Sequence, residues 1–409
     1  MATAAATATA LHSSEVKAIG LVGSAHFLSH FYLLTLPPLF LAIQADLGVS
    51  FFELGLAVTC YAVATGALQT PVGLYLHRIG ARRLLIGGLM LNAAAICGAG
   101  LVSSYWGFLA MMFLAGVGNS VFHPVDYSLL SSSVHESRIG RAYSVHSLGG
   151  TAGFAAAPMV VLALATYWDW RTALVIVGAI GVGLACLIAI FRNALHDDSG
   201  HDNSGDEQAR AKAAGGAKTG LRALMTRQIL VFFAFFVLLA AAGSGLNTFS
   251  IVALTQVYKI DLVTASGALT TFLVMVAAGV LVGGYLADKT QRHDLVLVVT
   301  YGVSAFCLVL IATQLLSFWL VLGVFAVSGL MRGIVNPSRD IMVRAASPPG
   351  QIGATFGFVT TGFTVGQGAA PMLYGWMMDN GSAGSVFWLA AGFTVAAILL
   401  VVAFRERPL

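Results

Sequence analysis

Twelve stretches of this chain are apolar for long enough to cross a membrane, and most of its charges lie between them. About 20 apolar residues span the hydrocarbon layer as a helix. The stretches fall near residues 17–43, 51–76, 83–102, 106–132, 142–166, 172–192, 227–257, 262–287, 294–314, 318–343, 351–378 and 386–404. Only 9% of the residues are charged and 58% are hydrophobic, whereas a soluble domain carries about a quarter charged residues. The expected fold is therefore all-α and integral to the membrane, with twelve transmembrane helices. Pro37 and Pro38 should kink the first of them.

An even number of spans puts both termini on one side. The loops on that side hold 17 of the 21 Lys and Arg residues, the opposite loops hold Arg171 and Lys259, and Arg332 and Arg339 lie within a span. Basic residues stay on the cytoplasmic face, so both termini are expected there. Residues 193–226 are polar and Gly-rich, which reads as a flexible cytoplasmic linker. The expected organisation is a tail at 1–16, six spans in 17–192, the linker, and six spans in 227–409. The tail has no basic n-region and does not read as a signal peptide. Cys60, Cys97, Cys186 and Cys307 all fall in apolar runs, so neither disulfides nor a cysteine metal site is expected.

The fourth span carries Asn119, His123 and Asp126 within GVGNSVFHPVD. The spacing i, i+4, i+7 places all three on one face of an unbroken helix, with Pro124 as a local disturbance. Adding 213 to the positions gives Arg332, Asn336, Pro337 and Arg339 in the tenth span. The same offset relates Gly153-x3-Ala157-Pro158 to Gly366-x3-Ala370-Pro371. Two halves of six spans, repeated in this way, are the mark of a secondary transporter with its solute site near the midplane.

Two loop sequences, GLYLHRIGARR after the second span and GGYLADKTQRH after the eighth, resemble the basic loop motif of the major facilitator superfamily. TYWDWRTAL resembles the turn that opens that family's sixth span, and VFHP resembles a feature of its fosmidomycin-resistance branch. The likeness covers the chain without its tail and linker. His77 stands where the family usually has Asp, and Met112 aligns with an arginine common in drug:proton antiporters. The resemblance implies two pseudo-symmetric six-helix bundles and a monomer in a bacterial-type inner membrane. It also implies a small-molecule substrate, coupling to protons, and no cofactor. Export of a toxic compound by proton antiport is the first expectation. Uptake of a metabolite or siderophore by proton symport is the second, and a non-transporting sensor is a third. No complete catalytic set is visible, so an enzyme is not expected, and neither is nucleic-acid binding.

Arg332 lies 13 residues in from Trp319, about 20 Å along a helix. A central arginine costs at least ~2.5–3.5 kcal/mol on insertion scales. It is therefore expected to anchor an anionic or zwitterionic solute, with Asn336 one turn away. His26 and His30, one turn apart in the first span, suit a group that loads and releases protons. His123 and Asp126 are further candidates for that role, with His146 at similar depth. Asn119, Asn247, Gln69 and Gln367 are candidate solute contacts. A cytoplasmic gate is expected from Asp126 with Arg78 or Arg82, and its second-half copy from Asp340 with Lys289 or Arg292, beside Asp288. No metal site is expected.

Overall fold

The computed structural model describes residues 13–135, 138–196, 226–348, 352–381 and 383–403. The expected tail up to residue 12 and nearly all of the expected linker lie outside the described residues. Every regular element among those described is helical. Eleven helices there are long and apolar enough to cross a membrane. Helix Ile352–Asn380 takes the place of the remaining expected span. We number the spans by their helices: span 1 Ser13–Leu47, span 2 Phe51–Ile79, span 3 Ala81–Leu101, span 4 Tyr105–Ser133, span 5 Ile139–Tyr167, span 6 Trp170–Ile190, span 7 Arg227–Tyr258, span 8 Leu262–Lys289, span 9 His293–Ala312, span 10 Phe318–Ala346, span 11 Ile352–Asn380 and span 12 Ser385–Ala403.

Two of these spans are not single helices. In span 1, Pro37 and Pro38 turn the chain through a short 3-10 segment, Pro37–Leu39, between helices Ser13–Leu33 and Phe40–Leu47. In span 4, Tyr105–Asn119 ends and Phe122–Ser133 begins after two intervening residues. Pro124 has no N–H for the carbonyl of Ser120 four residues back, so the α-helical ladder fails at that step. Pro337, at the matching step of span 10, is carried inside a continuous helix.

The chain separates into two compact units, Met1–Ile43 with Cys60–Asp202, and Gln44–Thr59 with Asn203–Leu409. Within the first unit, span 1 packs on span 5, and span 3 on spans 4 and 6. Within the second, span 7 packs on span 11, and span 9 on spans 10 and 12. Each pairing recurs six spans later, as a duplicated six-helix bundle requires. The second unit closes around Phe232, Phe235, Phe236, Leu239, Tyr301 and Val335. There the Asp379 carboxylate accepts the exposed N–H groups of Phe51 and Phe52 at 2.9 and 2.8 Å, capping the start of span 2.

In the first unit, Arg138 before span 5 donates to Glu15 at 2.8 Å, and both side chains are under 10% exposed. Glu15 also accepts from the backbone N–H of His135. This sealed ion pair ties the start of span 1 to the link between spans 4 and 5.

Candidate functional site

Spans 1 and 5 approach closely because span 5 presents Gly149, Gly150 and Gly153. A side chain at Gly153 would strike the carbonyl of Phe27, and one at Gly149 would press on that of Gly23. At Gly150 a Cβ would lie 2.9 Å from Nε2 of His26 and 3.1 Å from Cε1 of His30. Two imidazoles thus occupy the volume that a larger residue at position 150 would need. The space that these glycines clear is taken by the two ring side chains of span 1.

The break in span 4 sets the rest of the geometry. It turns Asn119 away from Asp126, so the expected shared face of Asn119, His123 and Asp126 is not formed. Asn119 accepts from Asn92 at 3.3 Å and donates to Thr65 at 3.4 Å, and Asn92 also donates to Tyr61. This buried network spends the amide of Asn119 on spans 2 and 3. Asp126, after the break, points to span 1 and span 5.

His26 Nδ1 and His146 Nε2 both donate to Oδ2 of Asp126, each at 3.0 Å. The three side chains are buried, with Asp126 at 0% exposure. The rings of His26 and His146 stack at 3.6 Å between centroids. His30 lies 4.5 Å from His26, and His123 lies 5.4 Å from it. His123 is exposed at the edge of the group. Three atoms here are sealed from solvent without a partner: Oδ1 of Asp126, Nδ1 of His146 and Nδ1 of His30. A carboxylate buried in this way costs several kcal/mol unless a cation neutralises it. The groups Asp126 meets are imidazoles, which are neutral until they take a proton.

The pairing expected of Asp126 with Arg78 or Arg82 is therefore not the one it makes. Asp126 is oriented inward by the helix break, and Arg78 is exposed, with its guanidinium 5.6 Å from the Tyr75 ring. In the second half, Asp340 pairs with Arg339 at 2.9 Å rather than with Lys289 or Arg292. Arg339 is its immediate chain neighbour, while Lys289, Arg292 and Asp288 are exposed, with Lys289 over the ring of Tyr285.

Arg332 sits on span 10 with no carboxylate partner among the described residues: Nη2 reaches the carbonyl of Leu239 at a long 3.4 Å, and Nη1 is sealed and unpartnered. Tyr301 and Tyr374 are its electrostatic neighbours, and the hydroxyl of Tyr374 is also sealed without a partner. Room for both comes from span 7, where a Cβ at Gly243 would lie 3.2 Å from Arg332 Nη2 and one at Gly245 would enter the Tyr374 ring. Asn336, expected beside Arg332 as a solute contact, accepts from Arg339 through Oδ1 at 3.1 Å. Asn247, Gln69 and Gln367 are half-buried on spans 7, 2 and 11, and the backbone carbonyl of Gln367 accepts from Ser244. Asn92 and Tyr374 were not singled out in the sequence: a lone Asn and a lone Tyr in apolar helices carry no periodic signal.

Comparison with known proteins places these features in a family. The model of the Major Facilitator Superfamily matches residues 22–266 and 234–409. The chain is 23% identical over 404 residues to the fosmidomycin resistance protein of Escherichia coli K12, covering 97% of this chain and 95% of that one. It is 26% identical to the inner membrane transport protein YajR of the same organism, over 95% and 83% of the two chains. Among solved structures, the nucleoside transporter NupG superposes with a TM-score of 0.76 at 16% identity, over 97% of this chain and 100% of that one. A bacterial homologue of the lysosomal transporter Spinster gives 0.75 at 14% identity, over 96% of each chain.

Proposed function

The chain belongs to the Major Facilitator Superfamily, and on that premise we propose that it couples the movement of a small organic anion or zwitterion to the proton gradient. It is a multi-pass membrane protein, and a transporter of a small solute. The observation that carries the proton reading is the buried Asp126 carboxylate shared by His26 and His146. A proton held by this group discharges the carboxylate inside the membrane; its release restores a costly buried charge. Arg332, with its sealed and unpartnered Nη1, is the solute anchor, because an incoming anion supplies the partner it lacks. Tyr374 adds a hydroxyl beside it. Proton and anion each neutralise a lone charge in their own half of the protein.

Export by antiport is the proposed direction, supported by the likeness to a resistance protein. The protein acts as a monomer in a bacterial-type inner membrane, with both termini in the cytoplasm and no cofactor. The test is flux in proteoliposomes with an imposed pH gradient, using a panel of organic anions and antibiotics. Solute accumulation that follows the gradient, and collapses with an uncoupler, is the expected result. Flux down the solute gradient that ignores pH would overturn the proton coupling. Accumulation on the side from which protons depart marks antiport, and accumulation on the side that receives them marks symport.

A further inference from the structure

Asp126 needs a cation, and a proton is not the only one its surroundings are built to hold. His26 Nδ1, His146 Nε2 and a carboxylate oxygen of Asp126 all lie within 4.8 Å of one another. Zinc holds nitrogen at about 2.0–2.1 Å and carboxylate oxygen at about 2.0–2.2 Å, so neighbouring ligand atoms of one tetrahedral ion stand roughly 3.2–3.5 Å apart. The two imidazole-to-carboxylate separations are 3.0 Å. A slight spreading of the rings admits the ion.

A further observation points the same way. Oδ1 of Asp126 is sealed and accepts nothing, although buried polar atoms are as a rule hydrogen-bonded. A cation held by both carboxylate oxygens would satisfy it. Two histidines bonded to an aspartate purely for packing would account for Oδ2 but would leave Oδ1 idle. The donor set is imidazole and carboxylate, with no thiolate and no cage of oxygens. That set suits zinc and its first-row neighbours, and does not suit magnesium or calcium. Chain spacing hides the site, because its ligands come from three different spans.

We propose that His26, Asp126 and His146 form a binding site for one divalent transition-metal cation of the zinc class, with its remaining position open. His123, exposed beside the group, is the approach to it. Nδ1 of His146 has no outer partner, and loss of such support weakens a metal site by about 10–100-fold. The site therefore holds an exchangeable ion rather than a permanent structural one. The inference does not depend on the transport reading: binding is measured on protein in detergent, whether or not any solute moves.

The experiment uses the full chain without an affinity tag, stripped with a chelator and titrated with Zn2+ by calorimetry. Metal content after gel filtration and X-ray absorption spectra of the loaded protein accompany the titration. One zinc per chain, with imidazole scattering in the spectrum, is the expected result. Binding should be lost in Asp126→Asn and in His146→Gln, and kept in a His196→Gln, His201→Gln control. Should Asp126→Asn fail to fold, His26→Gln, which removes one imidazole ligand, carries the test, and zinc should then bind more weakly with one fewer imidazole in the spectrum. No stoichiometric binding by the wild type would overturn the proposal. So would a zinc that survives in all the cluster variants, or one lost only in the control.

Discussion

Asp126 takes His146 at 3.0 Å through one carboxylate oxygen, Oδ2, and leaves the other, Oδ1, sealed and without a partner. The asymmetry matters because Oδ2 also receives His26. One oxygen is doubly occupied while the other is the natural point of attachment for a proton or ion. The contacts also rank the histidines: His26 and His146 touch the carboxylate, whereas His30 and His123 pack against His26 and each other without reaching it.

That ranking gives the first prediction. His26→Gln and His146→Gln should each abolish pH-driven accumulation of solute, while His123→Gln should retain most of it. Exchange of solute for solute should survive in all three, because it needs no net proton movement. The readout is accumulation against exchange in the same proteoliposomes. Equal loss in all three variants would place the proton elsewhere.

A second concerns Arg332. Replacing it with Lys keeps the charge and loses the planar fork; replacing it with Ala loses both. Solute affinity should fall in the order wild type, Lys, Ala, with the Ala variant weaker by roughly 1.5–3 kcal/mol, the scale of hydrogen bonds to a charged group. Tyr374→Phe should show a smaller loss. Calorimetry with a transported solute measures the series, and equal affinities would make Arg332 a structural residue.

The pair of Glu15 and Arg138 should behave as a buried ion pair. Glu15→Gln leaves a guanidinium that is 9% exposed without its carboxylate, and breaking such pairs costs about 3–5 kcal/mol. A marked drop in thermal stability in detergent is expected. The double variant Glu15→Gln, Arg138→Leu should recover part of it, since the charge left facing the amide is then gone. A double variant no better than the single one would mean that the two act independently.

Sidedness is tested by a cysteine in the stretch between the halves. With Cys60, Cys97, Cys186 and Cys307 replaced, Ser204→Cys should react with an impermeant thiol reagent only after the membrane is opened. Labelling in intact cells would invert the orientation inferred from the 17 basic residues on that side.

The spans were legible because lipid imposes a length and a polarity on every one of them. Span 6, expected at 172–192, is Trp170–Ile190, and span 9, expected at 294–314, is His293–Ala312. The proline signals were legible in kind and unequal in outcome: Pro124 accompanies a broken helix and Pro337 a continuous one. Helical periodicity put Asn119 with Asp126, and failed because it presumes the ladder that Pro124 interrupts. The histidines of span 1 and Asp126 were each visible as polar groups in apolar runs. Their meeting, across 100 residues of chain, was not, because nothing local encodes which helices pack. Glu15 looked like tail and Arg138 like loop for the same reason: their partnership spans 123 residues.

Gly150 turns the packing of span 5 into a means of sorting sequences. With 2.9 Å to His26 and 3.1 Å to His30 from where a Cβ would stand, an alanine and two such rings compete for one volume. In related chains, a small hydrogen-only residue at this position should therefore travel with the two imidazoles, and a bulkier one with their replacement. A genome survey can thus separate chains that keep the cluster from those that have surrendered it by reading three positions, without solving a single further structure.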